Sequence, residues 1–247
     1  MVRNPVFGLA LCLVLLTAAS GRADDPTTLY ADLLRIAVTD GRVDYKALKV
    51  REAQLDAFLA AQAAVDPAGL DPNSQIAFYI NLYNAATLKL VLTRYPGIRS
   101  IKDAGSLFTS PWKQRFIRLA GRVVSLDDIE HGILRSRFHD PRIHFAVNCA
   151  SKSCPPLAAI PYAGPTLDAT LDAAARAFIN DPRNTSFDDG TLRVSRIFDW
   201  YADDFGGEAG VWDFLRRYAN PDLARRMDAA ASPRLAYDAY DWSLNGQ

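Results

Sequence analysis

Histidine and cysteine are scarce in this chain, with three of each among 247 residues. Chemistry that needs a soft nucleophile or a proton carrier near neutral pH is therefore confined to few places. Net charge is also lacking, since 28 bases balance 28 acids. No basic field exists to draw nucleic acid or anionic lipid. After Ala19 no stretch approaches the ~20 apolar residues of a membrane span. The His-Glu-x-x-His, phosphate-loop and Gly-x-Ser-x-Gly patterns are absent, which removes three common enzyme signatures. Ser110-Pro111-Trp112-Lys113 fits Ser-x-x-Lys, but its Ser-Asp-Asn and Lys-Thr-Gly partners are missing, so we treat it as chance.

The first residues read as a secretory signal. Arg3 precedes an apolar run from Val6 to Ala19, and Ser20-Gly21-Arg22-Ala23 offers a small-x-small cleavage site. Cys12 follows Leu11 rather than a small residue, which argues against a lipid-modified cysteine. We expect a signal peptide over 1–23 and one domain over 24–247, exported to the periplasm or secreted. Loss of Arg3 and Arg22 leaves 26 bases against 28 acids. No membrane span and no nucleic-acid partner are expected of the mature chain.

The chemistry concentrates in Arg142-Ile143-His144-Phe145-Ala146-Val147-Asn148-Cys149-Ala150-Ser151-Lys152-Ser153-Cys154-Pro155. It holds both cysteines of the mature chain and one histidine, with His131 and His139 just upstream. An apolar segment entering a small polar loop suits the placement of a reactive side chain.

Around this stretch the pattern is α+β, with many helices and a small sheet. Helices are expected over 27–37, 46–63 and from about 74 to 95, the last capped by Asn73 or Ser74. This third helix is apolar on nearly every side and should be buried at the centre. Asn81 and Asn84 share one of its faces. Hairpins are expected at 115–124 and 185–194. A capping box at Ser125 opens a helix carrying Glu130 and His131. Ile143–Val147 reads as a buried strand, Leu167–Phe178 as an amphipathic helix, and Ser195 as the cap of another. Short helices near 209–218 and 221–230 precede a last strand over the tail Leu235–Leu244.

Several segments carry a family resemblance. They are Phe78–Ala85, Leu126–Arg135, Asp140–Cys149, Ser195–Tyr201 and Tyr240–Asn245. In this order they resemble the family known as domain of unknown function 547. The resemblance implies a shared fold and a shared site, with no established reaction. It also implies that the position of Cys149 is usually cysteine, whereas that of Cys154 is cysteine or serine. A central apolar helix beside a histidine-bearing segment is similar, by analogy only, to papain-type and transglutaminase-type folds.

Three readings of the cysteines stand side by side. In the first, Cys149 is a nucleophile, His131 its base and Glu130 the orienting carboxylate, in a hydrolase or acyl transferase. Asn148, Asn84, Asn81 or His144 would support it, and the substrate would be an amide, ester or thioester of the cell envelope or a secreted peptide. In the second, Cys149–Cys154 is a disulfide in a non-catalytic module whose aromatics hold a peptide or glycan. That bridge closes a loop of about six residues and contributes only roughly 2 kcal/mol. In the third, the pair cycles as a thiol-redox couple. Zinc on the cysteines and two histidines is disfavoured by the wide spacing, and no metal or cofactor is expected. Trp112, Trp200, Tyr201, Tyr240 and Trp242 are read chiefly as core, and Asp199, Asp203 and Asp204 as a helix face.

Overall fold

The computed structural model describes residues 25–106, 108–230 and 233–246. The leader expected over 1–23, with Cys12, lies outside them. The architecture is α+β, as the patterning implies.

Helix α1 (Pro26–Ala37) leads into a tight hairpin, β1 (Val38–Thr39) with β2 (Arg42–Val43). Its turn uses Asp40 and Gly41, both with positive φ. A Cβ on Gly41 would lie 2.2 Å from Pro156 Cβ, so the approach of the cysteine loop requires glycine here. The helix expected over 46–63 is two helices, α2 (Tyr45–Val50) and α3 (Glu52–Ala64). The break at Arg51 (φ −109°, ψ 19°) is invisible to a periodicity that continues through it. Tyr30 of α1 stacks on Phe58 of α3 at 4.1 Å, which locks the two helices together.

The long helix α4 (Pro72–Leu92) buries 15 of its 21 residues and forms the centre of the first core. Its cap is Asp71, whose carboxylate accepts the Ser74 N–H; Asn73 and Ser74 lie inside the first turn behind Pro72. The hairpin β3 (Ile117–Leu119) and β4 (Arg122–Val124) precedes α5 (Leu126–Ile129), which the Ser125–Asp128 capping box starts. From Glu130 to Phe138 the helix widens to π winding, and His139, left-handed at φ 51°, ends it. π segments recur at functional sites.

Residues Pro141–Phe145 form a 3₁₀ helix, which corrects the expected strand. The Asp140 carboxylate caps it from the Arg142 N–H, with Pro141 in the first turn. A short buried apolar run has no distinguishing period, and the Asp-Pro start signal decides the matter. Helix α6 (Leu167–Ile179) follows. The sheet comprises β5 (Thr185–Asp188), β6 (Thr191–Val194) and, parallel to β6, β7 (Arg234–Tyr237), shorter than the tail strand expected. Between them lie α7 (Ile197–Trp200), α8 (Gly207–Tyr218) and α9 (Pro221–Ala229). Ser195 Oγ accepts the Ile197 N–H, and α7 begins one residue later than a Ser195 cap implies.

Two hydrophobic clusters meet at the 141–147 segment and along α6. Ile143, Leu167 and Leu171 belong to the α4 cluster, while Phe145, Ala175 and Phe178 belong to the sheet cluster. Phe145 packs its ring within 6.3 Å of Phe178, Phe198, Phe205 and Phe214. His144 is thus fixed at the seam. The C-terminal tail returns to this seam: Asn245 N–H donates to Ala150 O and Ser243 O accepts from Lys152 N–H. That path brings Tyr240 and Trp242 beside the cysteines. Among the described residues no helix is long and apolar enough to cross a membrane.

Candidate functional site

The cysteine loop is held from below by amides. Asn84 of α4 donates from Nδ2 to Ala146 O (2.9 Å) and accepts the Asn148 N–H at Oδ1 (2.8 Å). Asn148 donates to Pro155 O and accepts the Ala150 N–H, so it staples both ends of the loop. Asn81 makes the same paired contact with the backbone of Tyr162. These three amides serve the backbone. Buried backbone groups need such partners.

Above the loop lies a cleft of about 240 Å³. Cys149, Cys154, Glu130, His131 and His144, all singled out from the sequence, line it together. Asn81, Asn84 and Asn148 are not in its wall. The five aromatics read as core also line it, and so does Ser110 of the Ser-x-x-Lys stretch. Trp200 stays 45% exposed at the rim.

Cys149 and Cys154 are joined as a disulfide. The Cys149 N–H donates to Cys154 Sγ at 2.6 Å. Cys149 Sγ lies 3.1 Å from Ser151 Oγ and 3.3 Å from Tyr240 Oη. Among the described residues no histidine hydrogen-bonds to it. Ala150, between the two sulfurs, has φ 61°, a left-handed conformation that an alanine occupies only at some cost. Burial pushes the Tyr240 phenol up to about 12, so it remains a donor at neutral pH.

The histidines divide into two settings. His144, buried beneath the stacked ring of Tyr201 (4.0 Å), places Nε2 2.7 Å from Asp204 Oδ2. A carboxylate accepts, so Nε2 carries the proton and a neutral ring keeps its lone pair on Nδ1. Arg135 grips the same carboxylate bidentately at 2.5 and 2.9 Å. Burial pushes the Asp204 carboxyl up, but hydrogen bonds from His144 and Arg135 outweigh it and hold the group well below the usual carboxylate range.

His131 takes the opposite tautomer. Arg135 Nη1 donates to its Nδ1 at 2.6 Å, and a guanidinium has only donors. The free ring nitrogen is therefore a donor, Nε2–H, 3.7 Å from Asp127 Oδ1. Glu130 accepts the Tyr201 phenol at 2.8 Å and neighbours the Tyr83 phenol. Burial first, then the Glu130 charge, raises both phenols far above their ordinary range.

Asp204 and Arg135 are the residues that sequence reasoning missed. The sequence reading places Asp204 on a helix face, yet it lies three residues after the Ser195–Tyr201 segment that carries the family resemblance. That adjacency was the available signal. Among the described residues no group of three or more His, Cys, Asp or Glu is arranged to hold a metal.

No curated protein and no solved structure matches the chain. The cleft is built largely from residues 67–179, and that segment matches the family described as "Protein of unknown function, DUF547".

Proposed function

We propose that this protein is an exported cysteine-dependent hydrolase or acyl transferase whose nucleophile is stored as the Cys149–Cys154 disulfide. One observation carries the reading: Cys149 shares a cleft with a His144–Asp204 pair whose tautomer leaves Nδ1 as the basic nitrogen. The leader read at 1–23 directs the chain to an oxidising compartment, where such a bridge persists.

A reducing thiol attacks Cys154 Sγ and Cys149 leaves as thiolate, with Tyr240 and Ser151 hydroxyls beside it. A second thiol of the reductant completes its own disulfide and frees Cys154. Cys149 Sγ then attacks the carbonyl of an amide, ester or thioester of the envelope or of a secreted peptide. His144 takes the thiol proton when the thiol form reacts, and gives it to the leaving group. The His131 Nε2–H supplies a donor for the developing oxyanion. Water, or an acceptor amine or alcohol, attacks the acyl-cysteine with His144 as base. This assigns the base to His144, and Glu130 to orienting Tyr201 and Tyr83.

The test uses the Cys154→Ser protein, which cannot form the bridge, and measures iodoacetamide labelling of Cys149 against pH. We expect a labelling midpoint well below the ~8.5 of an ordinary thiol, moved upward by His144→Ala. An ordinary midpoint that His144→Ala leaves in place would sink the reading. One observation favours a second reading, because the contacts of Cys149 are to hydroxyls and not to a histidine. An inert thiol would leave the cleft as a peptide- or glycan-binding groove with a structural bridge.

A further inference from the structure

We infer that the cleft recognises an alkylammonium group on its ligand. This deepens the proposed function by naming a substrate class, and it rests on that reading only for the claim that the ligand is also turned over. The charges come first. Asp127 and Glu130 line the cleft, and among the described residues no lysine or arginine does. The lining itself thus presents two carboxylates, with Arg135 set behind it against His131 and the Tyr201 ring.

The rings come second. Tyr240 lies 4.5 Å from Trp242 and 4.8 Å from Trp200, and Trp200 lies 5.7 Å from Trp242. Trp112 meets Trp242 edge-on at 5.6 Å. Four aromatic rings thus converge beside two carboxylates. Ring faces attract cations through their quadrupole, and most strongly where water is excluded, so the cleft-facing side of this packed cluster is a surface for an ammonium head. The fold already makes this contact once: Lys102, which does not line the cleft, sits with Nζ 3.9 Å from the Trp242 centroid. A neutral sugar would use the same rings and donate hydroxyls to Asp127, but would gain no charge attraction from it. An anionic ligand would face two like charges.

The cleft volume of about 240 Å³ suits a group of this size rather than an extended chain. Such a head would be a lysine-type side chain of a peptide or a quaternary ammonium of a choline-type ester. Both present the same cation, and binding separates them.

The experiment titrates the intact, oxidised protein with choline, with Nα-acetyl-lysine amide and with 3,3-dimethylbutanol, the uncharged isostere of choline, followed by tryptophan fluorescence and calorimetry. We expect at least one cation to saturate at about tenfold lower concentration than the alcohol. Asp127→Asn should weaken that cation about fivefold and leave the alcohol unchanged, whereas Trp200→Ala, which also removes apolar contact, should weaken the cation more than the alcohol. Trp200 is half exposed and Asp127 lies at the surface, so both variants keep the fold. The tighter of the two cations identifies the source. A result in which neither cation binds more tightly than the alcohol would overturn the inference. The binding is read without reduction, so an inert Cys149 would end the catalytic reading and leave this result standing.

Discussion

His144 Nε2 lies 2.7 Å from Asp204 Oδ2, and the contact joins residues 60 apart in sequence. It ties the seam between the two cores to the turn after α7. The same carboxylate receives Arg135 from the π-helical segment, so three elements converge on one charge. Arg135 continues to His131, which makes the two histidines ends of one network with opposite tautomers. Such an arrangement sets one ring as acceptor and the other as donor, the division of labour that acyl transfer uses.

Asp204→Asn should therefore cost about 2 kcal/mol of stability near neutral pH, the scale of lost hydrogen bonds to a charged group. Its pH dependence gives the sharper test. The carboxyl is held below its unfolded value by His144 and Arg135 against the opposing effect of burial. The native state thus binds this proton more weakly than the unfolded chain does. Stability from the group is complete above an unfolded carboxylate pKa of about 4 and is lost as pH falls below it. Urea unfolding of both proteins between pH 6 and 2 should show a constant gap that narrows below about pH 4. A gap that stays constant to pH 2 would mean that the ion pair is absent in solution.

The Tyr240 phenol provides a second test. It lies 3.3 Å from Cys149 Sγ and keeps its proton to about pH 12. In the Cys154→Ser background, Tyr240→Phe should raise the labelling midpoint of Cys149 by about half a unit to one unit, as expected when one donor to a thiolate is removed. The iodoacetamide labelling rate, read by mass across pH 5 to 10, checks it. An unchanged midpoint would remove Tyr240 from the set of groups acting on the thiol.

Much of the fold is legible in the sequence because burial leaves periodic traces. The all-round apolar pattern of α4, the capping box at Ser125 and the Asp188-Asp189-Gly190 turn of β5–β6 each have a local cause. Ile143–Val147 reads as a strand because a run of five buried residues satisfies strand and helix alike. That error mattered: strict strand alternation turns His144 away from Cys149, whereas the 3₁₀ winding lets both line one cleft. Scarcity of reactive residues located the site. It could not reveal Asp204, one carboxylate among many, whose only trace in the sequence is its place just after the Ser195–Tyr201 segment. Nor could it assign Trp112 or Trp242, since an aromatic serves a core and a cleft wall equally well.

Asn84 is the residue on which the loop's position most depends. It is buried at 3% exposure and makes two bonds to the backbone on either side of Val147. Asn84→Ala would leave the Ala146 carbonyl and the Asn148 N–H without partners inside the protein. Each such loss costs about 1–3 kcal/mol. We expect a total near 3 kcal/mol, together with faster hydrogen exchange at Asn148. Asn84→Asp tests the two bonds separately, since a carboxylate accepts from Asn148 N–H but repels the Ala146 carbonyl. Its loss should be of similar size, carried by the carbonyl side alone. An Asn84→Ala protein with wild-type urea stability would show that the loop is held elsewhere, by Asn148 and the C-terminal tail.

Gly41 links the first hairpin to the same loop, and its substitution separates backbone strain from contact. Its φ of 75° disfavours any side chain, at a cost of about 1 kcal/mol for alanine. A Cβ would also lie 2.2 Å from Pro156 Cβ, within the loop that follows Cys154. Gly41→Ala should therefore destabilise the protein by more than the dihedral cost, about 2–3 kcal/mol, because Pro156 must move. Pro156→Ala alone keeps its Cβ and should not relieve the clash, whereas Pro156→Gly in the Gly41→Ala background should recover only part of the steric loss, because the Cα at 156 would still lie 2.9 Å away. The displaced loop carries Cys154, so the single variant should also change the rate at which dithiothreitol reduces the bridge. Recovery of stability by Pro156→Gly would measure the side-chain part of the contact; recovery of nothing would assign the loss to the left-handed backbone at residue 41 and its approach to the backbone of residue 156.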